Sequence, residues 1–213
     1  MVNKINRLIK SIWEGKSHTR FLMNEELRSV TLNGVVIDVG GGKNSDYIDF
    51  IKKNDNVDFV TLDGKISKVN FETDNLPYTE SFADTVLLLN VLEHIYNYQF
   101  LSNEVYRILK RGGKLIGFVP FLMSYHPDPN DYFRYTKDTL DKILKTSGFT
   151  NTNIVCVGGG PFAVHLNTII LSVPKIIRPI ITLMYIFLDK IFIYFRLKAK
   201  ERYPLGYMFF ATK

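Results

Sequence analysis

Three consecutive glycines, Gly40-Gly41-Gly42, follow directly on the apolar run Val35-Val36-Ile37-Asp38-Val39. Without Cβ atoms the backbone can bend sharply at the end of a buried strand and approach a ligand closely. A helix start beyond the bend offers N–H groups that have no partner within the helix. These features suit a nucleotide-like cofactor, and they equally suit a plain strand-to-helix turn. Two carboxylates narrow the chemistry. Asp63 closes a second run, Phe59-Val60-Thr61-Leu62, twenty-one residues after Gly42, where an acid can accept hydrogen bonds from ribose hydroxyls. Asp38 stands before the glycines, placed to face a cationic amine. A dinucleotide would bring pyrophosphate to the same bend, and Ser45 takes the third glycine's place in Gly40-x-Gly42-x-x-Ser45. The pattern favours S-adenosylmethionine (SAM), which carries an ammonium and a sulfonium and no phosphate, over a nicotinamide dinucleotide.

Groups able to move a proton lie further along. His94, next to Glu93, follows the apolar run Thr85-Val86-Leu87-Leu88-Leu89 and Asn90. It has two readings: a general base facing an acceptor, or a helix-start histidine bonded to Glu93 or to backbone. A denser cluster runs from Ser124 to Thr136 and contains His126, Asp128, Asp131 and Arg134 among Tyr125, Tyr132, Phe133 and Tyr135. One reading has His126, Asp131 and Arg134 shaping an acceptor pocket. The other is a structural loop in which Arg134 pairs with Asp131 or Asp128. With a single cysteine, Cys156, there is neither a disulfide framework nor a cysteine-built zinc site, and no metal site is read from the spacing.

The elements that must carry these groups alternate. Strands are expected at 35–39, 59–63, 85–89, 115–119 and 153–157, with a short one around 68–70 and a last one at 207–211. Helices are expected from Ser45 to Lys53, from Phe100 to Lys110 with Gly112-Gly113 as the stop, and from a Thr136 cap through Lys145 with Gly148 beyond its end. Such alternation predicts a parallel sheet covered on both faces. The organisation follows: a basic amphipathic helix over 1–30, a cofactor-binding core over 31–160, an apolar and basic helical insert over 161–202, and a final core strand over 203–213.

Two longer strings make the pattern specific. Leu76-Pro77-Tyr78-Thr79-Glu80-Ser81-Phe82-Ala83-Asp84, running on to Asn90-Val91-Leu92-Glu93-His94-Ile95, resembles a signature of the type 11 methyltransferases, a class I SAM-dependent family. Glu104-Val105-Tyr106-Arg107-Ile108-Leu109-Lys110-Arg111-Gly112-Gly113 resembles a later one, with Arg111 where the family has proline. The resemblance implies a Rossmann-like α/β fold of seven strands with the last antiparallel, helices on both faces, and SAM across the carboxyl ends of the first strands. Carried over, Asp38, Gly40, Gly41 and Gly42 hold the methionine part, Asp63 the ribose, and Asn90 and Val91 line the methionine side. Asn70 and Phe71 meet the adenine, with Glu72 and Asp74 as alternatives. The segment from Tyr125 to Thr136 is similar to one in bacterial relatives associated with surface-polysaccharide genes.

The composition, 46% hydrophobic and 23% charged, is that of a globular protein, and the charge is +6. Between Lys175 and Arg202 stand seven basic and two acidic residues, interleaved with Phe192, Tyr194, Phe195 and Leu197. Neither apolar run of the insert reaches the roughly twenty residues of a membrane span. The insert is expected to lie on an anionic membrane, to cover the substrate cleft, or to pack in a homodimer. No nucleic-acid-reading module is visible. The chain reads as cytoplasmic and peripheral to the inner membrane face. As an enzyme it would methylate an oxygen or nitrogen acceptor, with a sugar hydroxyl of a cell-surface glycan or its lipid-linked precursor foremost. A small-molecule methyltransferase of general metabolism and a non-catalytic SAM-fold membrane or partner-binding protein are the other readings.

Overall fold

A computed structural model describes residues 2–42, 45–197 and 199–213. Lys43 and Asn44 of the glycine turn, and Lys198 of the basic segment, lie outside the described residues. Along the chain run α1 (Val2–Trp13), α2 (His18–Leu27), β1 (Thr31–Leu32), β2 (Val35–Val39), β3 (Lys52–Lys53), β4 (Asp58–Leu62) and α3 (Gly64–Ser67). Then follow β5 (Ala83–Leu89), α4 (Tyr98–Ile108), β6 (Leu109–Pro120), α5 (Lys137–Thr146), β7 (Thr150–Val157), α6 (Pro161–Ile169), α7 (Arg178–Phe195), α8 (Ala199–Arg202) and β8 (Gly206–Thr212). The chain forms two compact units. One comprises Met1–Glu25, Phe121–Ser124 and Cys156–Gly206, the other Glu26–Pro120, Tyr125–Val155 and Tyr207–Lys213.

The larger unit carries a six-stranded sheet in the order β4-β2-β5-β6-β8-β7. The pairs β2–β4, β2–β5 and β5–β6 are parallel. At the end of β8 Lys213 donates to the Gly113 carbonyl and accepts from Gly112, near the start of β6, so β8 runs antiparallel as expected. Val36, Ile37, Val39 and the run from Val86 to Leu89 are almost wholly buried, as befits strands covered on both faces. Leu101, Val105 and Ile108 of α4 and Leu140, Ile143 and Leu144 of α5 bury helical stripes. Thr136 caps α5 by accepting from the Thr139 N–H at 3.2 Å. Gly117 is required by packing: a Cβ there would come within 2.0 Å of the Phe209 ring.

Several expectations are corrected. The main sheet has six strands rather than seven, because no strand forms around 68–70. That segment instead satisfies its backbone locally, with Asn70 N–H donating to Asp74 and Glu72 N–H to the Asn70 side chain. The helix expected from Ser45 to Lys53 is a short 3-10 turn over Asp46–Phe50, after which Lys52–Lys53 pairs with β1 in a separate two-stranded sheet. Gly112-Gly113 does not end α4. The glycines fall within β6, where the register with β5 shifts between Ala83 and Thr85. The amphipathic segment at the amino end is two helices, broken at Gly15, whose φ is +84°.

In the smaller unit, Leu8, Ile12 and Phe21 form a buried cluster with Leu22 and Ile186 of α7 against it. Arg7 binds Glu25 through two hydrogen bonds of 3.0 and 2.6 Å. Asp189, which the sequence presents as the polar end of an apolar run, is buried. Its carboxylate accepts from the N–H groups of Phe162 and Ala163, at 3.0 and 2.6 Å, and so caps α6. Among the described residues no helix is long and apolar enough to cross a membrane. An apolar groove of about 460 Å³ lies among Ile5, Leu8, Phe21, Leu183, Ile186 and Ile193.

His18 gives this unit an acid-sensitive point. Its ring is buried with Nδ1 unpartnered, and burial, followed by the charge of Lys4, lowers its pKa to about 4. A histidine with a depressed folded pKa stabilises the fold above its unfolded value of roughly 6.5 and loses that contribution as pH falls toward 4. Denaturant melts should therefore show up to about 3 kcal/mol less stability at pH 4 than at pH 7 from this residue. His18→Leu should flatten the dependence between those values, and an unchanged slope would refute the assignment.

Candidate active site

The glycine turn is built from below. Asp38 is fully buried, and both its carboxylate oxygens accept from the Tyr47 hydroxyl, at 2.8 and 2.7 Å. The carboxylate lies directly under Gly41, where a Cβ would come 2.0 Å from Oδ2. Gly40, at φ +77°, donates its N–H to the Leu62 carbonyl at 2.8 Å and lies against Val91, so that a Cβ would strike Val91 Cγ2 at 2.5 Å. Only glycine meets both the backbone conformation and the close approach here. Asp63 caps the short α3: Oδ1 accepts from Lys65 and Ile66 N–H groups, while Oδ2 lies toward Gly42. Phe71 is buried against Gly64, whereas Asn70 is exposed.

The second group starts at the end of β5. Asn90 takes the left-handed conformation at φ 55° and donates to the Phe118 carbonyl; a 3-10 turn then spans Leu92–His94. Glu93 is fully buried, and neither carboxylate oxygen has a hydrogen-bond partner. Burial lifts its carboxyl to about 8. His94 Nε2 lies 3.8 Å and His126 Nε2 4.0 Å from Glu93 Oε1. The two imidazoles meet edge to face with centroids 5.4 Å apart. His94 Nδ1 is 2.5 Å from the Asn130 carbonyl, an acceptor only, so Nδ1 is the protonated nitrogen.

The loop that carries His126 is anchored on the same residue. The N–H groups of Tyr132 and Phe133 donate to the Glu93 carbonyl, and the buried Tyr135 hydroxyl donates to the Leu92 carbonyl. Arg134 grips Asp131 with two bonds of 2.5 and 2.7 Å, and those bonds hold the Asp131 carboxyl at about 2. Asp131 in turn accepts from the His126 backbone N–H at 2.9 Å and lies 3.6 Å from its Nδ1. The ion pair expected of a structural loop is thus present with Asp131. Asp128 instead pairs with Lys65 at 2.8 Å, joining the histidine loop to the turn that follows Asp63.

The residues singled out by sequence therefore gather into two adjoining groups. Asp38, Gly40, Gly41, Gly42, Asp63, Asn90 and Val91 surround the turn, and His94, His126, Asp131 and Arg134 form the cluster beside it. Asn70 and Phe71 sit beyond Asp63, Phe71 with its ring covered. The sequence presents Glu93 only as a partner for His94, yet it lies at the centre of the cluster. Its signal is a lone acid after the apolar pair Val91-Leu92, three residues beyond the polar end of a buried strand. Tyr47, the support of Asp38, had no signal in the sequence.

Residues 41–117 match a family model described as a methyltransferase domain. An uncharacterized protein of Methanocaldococcus jannaschii is 39% identical over 77 residues, which are 35% of this chain and 34% of that protein. The chain thus matches about a third of the length of this curated relative. A SAM-dependent methyltransferase of Archaeoglobus fulgidus superposes with a TM-score of 0.56 at 16% identity, over 98% of this chain and 99% of the other. One from Thermotoga maritima gives 0.54 at 16% identity over the whole of both chains. Phosphoethanolamine N-methyltransferase 2 of Haemonchus contortus, in complex with SAM, gives 0.51 at 15% identity over 90% of this chain and 52% of that one. The fold is that of the SAM-dependent methyltransferases.

The Arg134–Asp131 pair is testable as the support of the histidine loop. The Asp131 side chain is 1% exposed, so Arg134→Ala strands a buried carboxylate. Thermal melts should register a loss of about 2 kcal/mol or more, with partial recovery in Arg134→Lys, which restores charge but not the forked geometry. Equal stability of all three proteins would overturn this role.

Proposed function

We propose that this chain is a SAM-dependent methyltransferase that moves the sulfonium methyl to an oxygen or nitrogen acceptor, foremost a sugar hydroxyl. One observation carries the reading: Gly40 of the cofactor turn lies against Val91, two residues before the buried Glu93. That contact sets a cofactor-sized bend beside a cluster of one carboxylate and two imidazoles. The negative charge of Asp38 beneath Gly41 favours a cationic group on the turn, and Asp63 Oδ2 suits a ribose hydroxyl. Transfer forms an oxygen–carbon bond as the carbon–sulfur bond breaks; the sulfonium leaves as a neutral thioether and the hydroxyl gives up its proton. Much of the acceleration comes from in-line alignment. A hydroxyl also needs its proton removed, which favours oxygen at a site with this cluster. Tyr96 and Tyr132, both exposed and packed edge to face beside the Glu93 turn, suit the apolar face of a sugar ring.

Calorimetry with S-adenosylhomocysteine tests the cofactor site. The wild type should bind it saturably. Gly41→Ala, whose methyl must displace the Asp38 carboxylate, should bind at least about tenfold more weakly, equivalent to 1.4 kcal/mol. No uptake by the wild type would end the enzymatic reading.

The acceptor is proposed to be membrane-linked. On α7 the exposed residues Ile180, Leu183, Met184, Phe187, Ile191 and Tyr194 recur at helical spacing, an apolar stripe left uncovered among the described residues. Lys4, Lys175, Arg178, Lys190 and Arg196 belong to the same unit, and this combination suits an anionic bilayer surface. Flotation should bring the protein up with vesicles containing anionic lipid and leave it down with purely zwitterionic ones. Absence of binding at physiological salt would exclude a membrane role, and a concentration-dependent dimer in ultracentrifugation would assign the stripe to a second copy.

A further inference from the structure

We propose that Glu93, His94 and His126 form a binding site for a divalent transition-metal ion. The three side chains come from two segments, the turn after β5 and the loop after β6, and their ligand atoms lie within 4.8 Å of one another. Glu93 is the telling member. A carboxylate wholly removed from water is costly unless partnered, and neither of its oxygens has a hydrogen bond.

The separations of 3.8 and 4.0 Å between Glu93 Oε1 and the two Nε2 atoms are too long for hydrogen bonds. They are only slightly wider than the edge of about 3.3 Å in a tetrahedron with bonds of about 2.0 Å. Closing these two takes a few tenths of an ångström per ligand; the separation between the two imidazole ligand atoms is within 4.8 Å and closes by rotation of the partly exposed rings.

The surroundings of the imidazoles fit the same purpose. A metal-bound histidine commonly gives its second ring N–H to a carbonyl or carboxylate, which fixes the tautomer and aims the lone pair. His94 does this through Nδ1 to the Asn130 carbonyl, leaving Nε2 turned toward Glu93. His126 Nδ1 accepts from Arg134 Nη2 at 3.4 Å and lies 3.6 Å from Asp131 Oδ2. Metal binding at Nε2 therefore moves the ring proton of His126 to Nδ1, where Asp131 takes over as its partner. Arg134 is neutralised by its two bonds to Asp131 and does not present an unbalanced charge to the ion. Two imidazoles and one carboxylate favour zinc, manganese or cobalt over magnesium or calcium, which prefer oxygen ligands.

Three protein ligands leave a position for an exogenous oxygen. On the methyl-transfer reading above, the acceptor hydroxyl takes that position. An ion there would lower the hydroxyl's pKa; its proton would pass to solvent water, and the resulting alkoxide would attack the sulfonium methyl as the carbon–sulfur bond breaks. In that state the histidines serve as ligands and not as bases.

Metal uptake is measured directly on the full chain, after chelator treatment, by zinc calorimetry and by the visible absorption of added cobalt(II). The wild type should take up one ion per chain, with cobalt bands typical of mixed nitrogen and oxygen ligands. Glu93→Gln and His126→Ala should each weaken uptake at least about tenfold. Glu93→Gln preserves shape and replaces the carboxyl with an amide, a poor metal ligand, so it remains informative if His126→Ala misfolds. No saturable uptake by the wild type, or uptake by both variants equal to that of the wild type, would overturn the site. Failed homocysteine-derivative binding alongside normal metal uptake would instead defeat the methyl-transfer reading and leave the metal site standing.

Discussion

The parallel pairing of β2 with β5, Val36 opposite Thr85 and Asp38 opposite Leu87, brings two strand ends to one edge of the sheet. One ends in the glycine turn and the other in Asn90-Val91. The absence of a side chain at Gly40 then lets the two turns touch through Val91. Any larger residue would separate them, and with them the glycine bend from the Glu93 cluster. The surrounding architecture keeps this contact: Asp38 and Tyr47 hold the first turn from below, and the Tyr135 hydroxyl holds the second through the Leu92 carbonyl. The Lys65–Asp128 pair joins the outer loops, but both side chains are over 70% exposed, and it contributes little to stability.

The two strings that carry the family resemblance also have a structural bond to one another. Glu104 accepts from the Leu76 N–H, and Arg107 donates to the carbonyls of Leu76 and Tyr78 while pairing with Glu104. An irregular loop is thereby fixed to the face of α4 by backbone hydrogen bonds that would otherwise go to water. That loop leads into β5 and so sets where the strand begins. A motif that looks like a signature in one dimension is a clamp in three.

The smaller unit follows a different balance. Asp189 and Asn167 are polar groups spent inside it, the first capping α6 and the second accepting from Thr19. Its outer helix face is apolar instead, with Ile180 at 70% and Phe187 at 62% exposure. The proposed membrane contact rests on this exposed apolar stripe.

The sequence alone determined the parallel strands of the sheet, because buried strands are written as continuous apolar runs ending in glycine, asparagine, aspartate or proline. It also determined the glycine turn and the Thr136 cap, since these depend on neighbours only a few residues away. The short strand at 68–70 and the helix after Ser45 misled, because local side-chain bonds from Asp74 and Asn70, and pairing of Lys52–Lys53 with β1, outweigh propensity there. Only the tertiary structure decided that Glu93, not His94 alone, lies at the centre of the cluster. The distance between Glu93 and His126 is set by how the loop after β6 folds back onto the Glu93 carbonyl, and no spacing along the chain encodes it. The same holds for Tyr47 under Asp38 and for Asp189 at the head of α6: each is a polar partner chosen by the packing of elements.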